Sequence, residues 1–161
     1  MGVIHALRDD ELDKSYVYRR DFSEVPSPTD AGGFTFERFL SMLEDRKDVP
    51  KALLVGKDAV VVGLGNSAYQ DIIYKARIHP KKKASGLSQK EKHALYEAIE
   101  NVVNERLRLG GKDQFFDLYG KQGRYPQAIG SHVKTCPTCG TTIEKLSIGG
   151  GQTYFCPRCQ K

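Results

Sequence analysis

The alternation of hydrophobic and polar positions changes character along the 161 residues. Residues 2–8 (Gly-Val-Ile-His-Ala-Leu-Arg) and 15–19 (Ser-Tyr-Val-Tyr-Arg) read as short strands on either side of the acidic turn Asp9-Asp10-Glu11. Two strands alone do not make a stable sheet. Such a hairpin leaves backbone edges and the apolar side of Val3, Ile4, Val17 and Tyr18 seeking a partner. Pro26-Ser27-Pro28-Thr29-Asp30 is a linker, after which Phe34, Phe36, Phe39, Leu40 and Leu43 recur at helical spacing and predict a short helix ending before Pro50.

The middle of the chain is more strongly helical. Lys51-Ala52-Leu53-Leu54-Val55 is a helical candidate, followed by the apolar run Val60-Val61-Val62, which Gly63-Leu64-Gly65-Asn66 breaks. Ala68, Ile72, Ile73 and Ala76 mark one face of a helix from Ser67 to Ala76, stopped by Ile78-His79-Pro80. The clearest helix starts at Ser88, where Ser88 and Glu91 have capping-box spacing. Leu95, Ala98, Ile99, Val102, Val103 and Leu107 form its apolar stripe, and Gly110-Gly111 ends it. Residues 112–134 are Gly-rich and aromatic without a clear period; they predict an ordered linker with one short helix near Phe115 to Tyr119.

The last 26 residues hold all four cysteines, as the pairs Cys136-x-x-Cys139 and Cys156-x-x-Cys159 separated by sixteen residues. That spacing reads as a metal site. Thr141–Leu146 and Thr153–Phe155 are β-prone runs joined by Gly149-Gly150-Gly151, so the segment predicts a zinc ribbon. Four thiolates at about 2.3 Å satisfy tetrahedral zinc with no open position, which makes the ion structural rather than catalytic. A module this small draws its missing folding free energy from the metal. The alternative, two disulfides, belongs to secreted chains. No apolar run approaches the 18 or more residues of a membrane span, and the expectation is a soluble, intracellular protein.

Charge adds a partner class. Net charge is +5, but residues 1–50 carry 7 Lys/Arg against 11 Asp/Glu and residues 51–161 carry 18 against 9. A basic stretch joined to a ribbon points to a polyanion such as nucleic acid. Lys81-Lys82-Lys83 within it also fits an ordinary solvated loop.

Gly63-Leu64-Gly65-Asn66 at a helix start has a direct chemical use. Glycines let a phosphate approach the backbone, and the helix N-terminus offers free N–H groups beside the Asn66 amide. A plain capping turn reads the same way. Gly-x-Gly-x-x-Gly nucleotide binding is disfavoured, because position 68 is Ala. In order along the chain, Lys51-Ala52-Leu53-Leu54, the run Gly63 to Pro80, the capped helix, Gly110-Gly111 and the four-cysteine ribbon resemble the formamidopyrimidine-DNA glycosylase and endonuclease VIII family of base-excision repair enzymes. The likeness covers residues from about 36 to 160.

The resemblance implies a mainly α fold with small β: a remnant β-hairpin and linker (1–30) from the end of the family's N-terminal β-sandwich, a helix-two-turn-helix DNA-binding domain (31–130) and a zinc ribbon (131–161). It further implies that Asn66 contacts a phosphate beside an extruded nucleotide, with Lys51 and the backbone amide near Gly65 assisting. The family's catalytic proline and adjacent glutamate have no counterpart in Met1-Gly2-Val3-Ile4-His5, so the resemblance implies binding to damaged or abasic duplex without catalysis by this stretch alone. At the ribbon turn, where many members carry an arginine, this chain has Gly151 followed by Gln152, which donates hydrogen bonds without charge. Two alternatives stand beside that expectation: an active glycosylase/AP lyase when complemented by the missing N-terminal domain or a partner chain, and a zinc-ribbon protein-interaction module.

Overall fold

The computed structural model describes residues 6–30 and 32–161. Its scaffold is a set of helices gathered around α4 (Asn66–Lys75) and α5 (Gln89–Arg108), with a two-stranded ribbon at the C-terminal end. Thr35 opens α2 (Phe36–Leu43), its hydroxyl accepting the Arg38 amide at 3.2 Å, and α2 buries Phe39 and Leu43. Pro50 takes the first position of α3 (Pro50–Val55), where a missing N–H leaves no bond unmade.

The capping box at Ser88 forms as its spacing predicts: the Ser88 hydroxyl accepts the Glu91 amide at 3.3 Å, and Glu91 accepts the Ser88 amide at 2.9 Å. Ser88→Ala is expected to lower stability by about 1 kcal/mol in chemical denaturation, because the α5 amides lose their side-chain partner. Leu95, Ala98, Ile99 and Val102 then face Leu53, Leu54, Tyr69, Ile72 and Ile73 in one core. Leu107 departs from the predicted stripe: it is 63% exposed, since the last turn of α5 runs beyond the core.

Two turns join α4 to α5. The first closes α4 as a Schellman motif, with the Arg77 amide donating to the Tyr74 carbonyl at 3.1 Å and the Ile78 amide to the Ile73 carbonyl at 3.0 Å. Arg77 sits at φ 58°, a left-handed position usually held by glycine and costing an L-residue roughly 1–2 kcal/mol. Ile73 and Ile78, both fully buried, supply the apolar contact that accompanies this closure.

The ribbon pairs β1 (Glu144–Ile148) antiparallel with β2 (Gly151–Phe155), Ile148 facing Gly151 across Gly149-Gly150. Both turn glycines have positive φ, 53° and 73°, the requirement of a two-residue type I′ turn. The first strand sits further along the chain than the β-prone run 141–146 suggests, and the second begins two residues before the run 153–155 and ends with it. Tyr74 carries the helical layer into the ribbon's own small core with Ile129, Cys136 and Cys156.

The N-terminal hairpin is corrected. Residues 2–5 lie outside the described residues, and 6–8 form no strand. A 3-10 helix (Asp9–Lys14), a single turn α1 (Tyr16–Tyr18) and a π-helical stretch (Arg19–Glu24) replace the second strand. With no sheet to extend, the backbone bonds locally: the Ser15 hydroxyl accepts the Tyr18 amide and its carbonyl accepts the Arg19 amide. The short helix expected near Phe115–Tyr119 is likewise a turn. Asp117 Oδ1 accepts the amides of Tyr119 and Lys121, both at 2.9 Å, and cross-loop bonds tie Gly123 to Phe115.

Candidate metal centre and nucleic-acid interface

Both cysteine knuckles converge. The four sulfurs of Cys136, Cys139, Cys156 and Cys159 lie within 4.8 Å of one another, and three of their separations are 3.4, 3.5 and 3.9 Å. A tetrahedron of thiolates around zinc at about 2.3 Å has sulfur–sulfur edges of about 3.8 Å. The cluster therefore fits one structural zinc ion, which would draw both ends of the hairpin to a single point.

The ionisation of the thiols agrees. Burial opposes the Cys136 thiolate, but the Tyr74 hydroxyl and the knuckle amides outweigh it and bring the thiol down to about 6. Cys159, hydrogen-bonded to Cys139, is pushed up to about 12. Four thiols this close do not all ionise unaided, and a divalent cation removes that conflict.

Side chains that the sequence reading passed over brace the centre against α4. Tyr74 Oη lies 2.7 Å from Thr138 Oγ1 and 3.2 Å from Cys136 Sγ. Buried Gln160 accepts the Cys156 amide at 2.9 Å and donates to the Ile78 carbonyl at 3.0 Å. Gln70 accepts the Tyr154 amide at 3.1 Å. None of these has a sequence signal beyond its proximity to a motif.

The predicted contact residues lie where α4 meets the hairpin. Gly65 is the N-cap of α4 and makes no side-chain cap, leaving the first-turn amides open. A Cβ at Gly65 would meet nothing within 4 Å, and its φ is −107°, so packing does not demand glycine there. Asn66, the first helical residue, is exposed and its Nδ2 approaches the Gln152 carbonyl at 3.5 Å. Gln152 in turn donates from Nε2 to Ser147 Oγ across the hairpin at 3.0 Å. Both residues border a cleft of about 280 Å³ shared with Gln70, Lys112 and Gln114.

Lys51 is placed differently from the surface charge expected of a helix. It is only 7% exposed, and its ammonium donates to the Ile148 carbonyl at 2.7 Å, bracing the ribbon turn. Burial lowers its pKa. No carboxylate pairs with it among the described residues. A Cβ at Gly151 would lie 3.0 Å from the Lys51 ammonium, so the small residue at this turn makes room for the lysine beneath it.

Behind Asn66 sits a buried ion pair. Asp71, with no exposed surface, accepts the Arg106 guanidinium at 2.8 Å and the amides of Ala128 and Ile129 at 3.0 and 3.2 Å. Arg106 also donates to Ser67 Oγ at 3.0 Å and stacks 4.7 Å from the centre of the Tyr125 ring. The first turn of α4, the end of α5 and the irregular segment at Ala128-Ile129 leading to the ribbon are thereby held as one piece.

Comparison with known proteins places this arrangement. Residues 26–116 match the formamidopyrimidine-DNA glycosylase H2TH domain, and residues 134–161 match a zinc finger found in FPG and IleRS. The chain is 34% identical over 133 residues to a formamidopyrimidine-DNA glycosylase of Listeria innocua, covering 80% of this chain and 48% of that protein. It is 38% identical over 110 residues to the Pasteurella multocida counterpart, covering 65% and 40%. Among solved structures, Lactococcus lactis Fpg in complex with DNA containing an abasic site superposes with a TM-score of 0.80 at 26% identity, covering 95% of this chain and 55% of that one. MutM (Fpg) from Thermus thermophilus gives 0.82 at 28% identity, covering 95% and 58%. The chain thus spans about half the length of the curated relatives it matches.

Proposed function

Because this chain belongs to the formamidopyrimidine-DNA glycosylase family, we propose that it binds duplex DNA, preferentially at an abasic or damaged site, through the N-terminus of α4 and the ribbon turn. The observation that carries the reading is the open first turn of α4 beside Asn66: its amides have no side-chain cap, and Asn66, whose amide makes only a long 3.5 Å contact to the Gln152 carbonyl, borders the adjoining cleft. A phosphate there gains hydrogen bonds and the favourable end of the helix dipole. Lys51 adds positive charge beneath the turn, with N–H donors beyond the one given to Ile148. Gln152 contributes hydrogen bonds at the rim.

Base removal by the family's chemistry falls outside what these residues supply, and we assign this stretch binding rather than catalysis on its own. Leu7, ahead of the first helical turn, and Tyr16, Val17 and Phe22 on the turns that follow are all exposed, Phe22 by 76%, and this surface suits the junction with a further domain, in the same polypeptide or in a partner. Borohydride treatment with abasic DNA is expected to trap no covalent adduct with this polypeptide alone. An adduct would reverse the assignment. No helix among the described residues is long and apolar enough to cross a membrane, and the site of action is proposed to be where the cell keeps its DNA.

Fluorescence anisotropy with a duplex carrying a stable abasic analogue tests the interface. Asn66→Ala is expected to weaken binding about 10- to 100-fold, the loss of a hydrogen bond to a charged group. Affinity unchanged by Asn66→Ala would remove the proposed contact.

A further inference from the structure

We propose that the groove at the opposite end of α4 holds the phosphodiester backbone of a second DNA segment, so that one chain bridges two duplexes. The proposal rests on the reading that the Asn66 face binds DNA. The groove, about 710 Å³, lies between the end of α4, the first turns of α5 and both cysteine knuckles. Asn66 and Lys75 bound a ten-residue helix and stand roughly 14 Å apart along its axis.

The charge of this groove is lopsided. Lys75, Arg77, Lys90, Arg158 and Lys161 line it, against one acidic side chain, that of Glu91. Lys82 engages that carboxylate at 2.6 Å. Lys75 pairs with Glu105 at 3.1 Å, while the other four cations have no carboxylate partner among the described residues. Four cations without a carboxylate partner around one concavity attract a polyanion and raise its local concentration.

Arg77 adds an independent observation. It occupies the left-handed position of the Schellman closure, φ 58°, where glycine would be unstrained. Strained positions persist where the surroundings enforce them, and they cluster where function uses the side chain. Here the side chain lines the groove. Arg77 and Arg158 present guanidinium forks suited to paired phosphate oxygens. An acidic peptide would need pockets for anchoring side chains, and the uncharged lining offers only Ala76, Ala94, Thr138 and two cysteine sulfurs.

Those sulfurs, from Cys139 and Cys159, supply the competing explanation: the cations serve only to offset the thiolate cluster. A two-duplex capture experiment separates the possibilities. The zinc-loaded 161-residue chain is bound to an immobilised duplex, and retention of a second, fluorescent duplex is measured at low salt. The wild type is expected to retain it. The double variant Arg77→Gly/Arg158→Gln is expected to lose about tenfold or more of the captured label, since two phosphate contacts are gone, while its affinity for the first duplex changes little. Arg77→Gly alone relieves the backbone and should not lower the melting temperature, so reduced capture by that variant reports lost binding rather than unfolding.

Three results overturn the proposal: a wild type that binds the first duplex and captures no second, capture unaffected by the variants, or variants that lose zinc while capturing normally. Failure to bind any duplex would instead sink the Asn66 interface, and this groove's role with it.

Discussion

Removing the metal is expected to unfold the ribbon and weaken DNA binding, while the α4 contact remains. The cysteine cluster lies where both ends of the hairpin meet, and the two strands bury little besides Thr153, Phe155 and the cysteines themselves. Structural zinc contributes apparent binding free energies of about 10–16 kcal/mol in small zinc-finger peptides, far more than this hairpin could gain from packing. Chelation, or Cys156→Ser, should therefore lose the near-ultraviolet signal of Tyr154 and release one zinc per chain. The helices, with a separate core built on Leu53, Ile72, Leu95 and Ile99, should keep their far-ultraviolet signal. Retention of the ribbon signal in the metal-free protein would contradict the structural role assigned to the ion.

The second large effect is expected at the Asp71–Arg106 pair. Arg106→Leu leaves the fully buried Asp71 without its cation, a change that costs about 3–5 kcal/mol in comparable buried pairs. Denaturant titration measures it. Replacing both residues by leucine should cost less than Arg106→Leu alone, because the stranded charge goes with its partner. Burial already raises the Asp71 pKa, against the pull of Arg106 and the Ile129 amide. A carboxyl raised in the folded state loses stability as pH climbs from its unfolded value toward its folded one. The loss in Arg106→Leu should accordingly be larger at pH 8 than at pH 5. Equal losses at both pH values would mean that Asp71 stays ionised without the arginine.

Much of the scaffold was legible because its signals are local. Ser88 and Glu91 cap α5 by spacing alone, and the cysteine pairs identify their site without reference to the rest of the chain. The N-terminal strands misled because alternation in 15–19 reports an apolar side, not the neighbouring sheet that a strand requires; Tyr16, Val17 and Tyr18 form a helical turn instead. Phe115 to Tyr119 misled in the opposite way, since Asp117 satisfies local amides and holds a turn where an aromatic run suggested a helix.

The position of Asn66 and Gly65 at a helix start was legible from the glycine-rich turn, and the structure places them at the uncapped first turn of α4. Lys51 was found by resemblance, but its burial under the ribbon turn was not, because the contact joins residues 97 positions apart. Gln160, Tyr74 and Arg106 share that limit: their roles depend on long-range partners that no periodicity records. Gly151 shows the same coupling, as a Cβ there would lie 3.0 Å from the Lys51 ammonium.

The most direct measurement of the central claim is an amide-resolved NMR titration of the zinc-loaded chain with abasic-site duplex. The account predicts the largest shifts at the amides of Asn66, Ser67 and Ala68, with smaller ones at Gly151 and Gln152, and their loss as salt rises, since phosphate contacts release counterions. Shifts that spare the first turn of α4, or that persist unchanged at high salt, would contradict it.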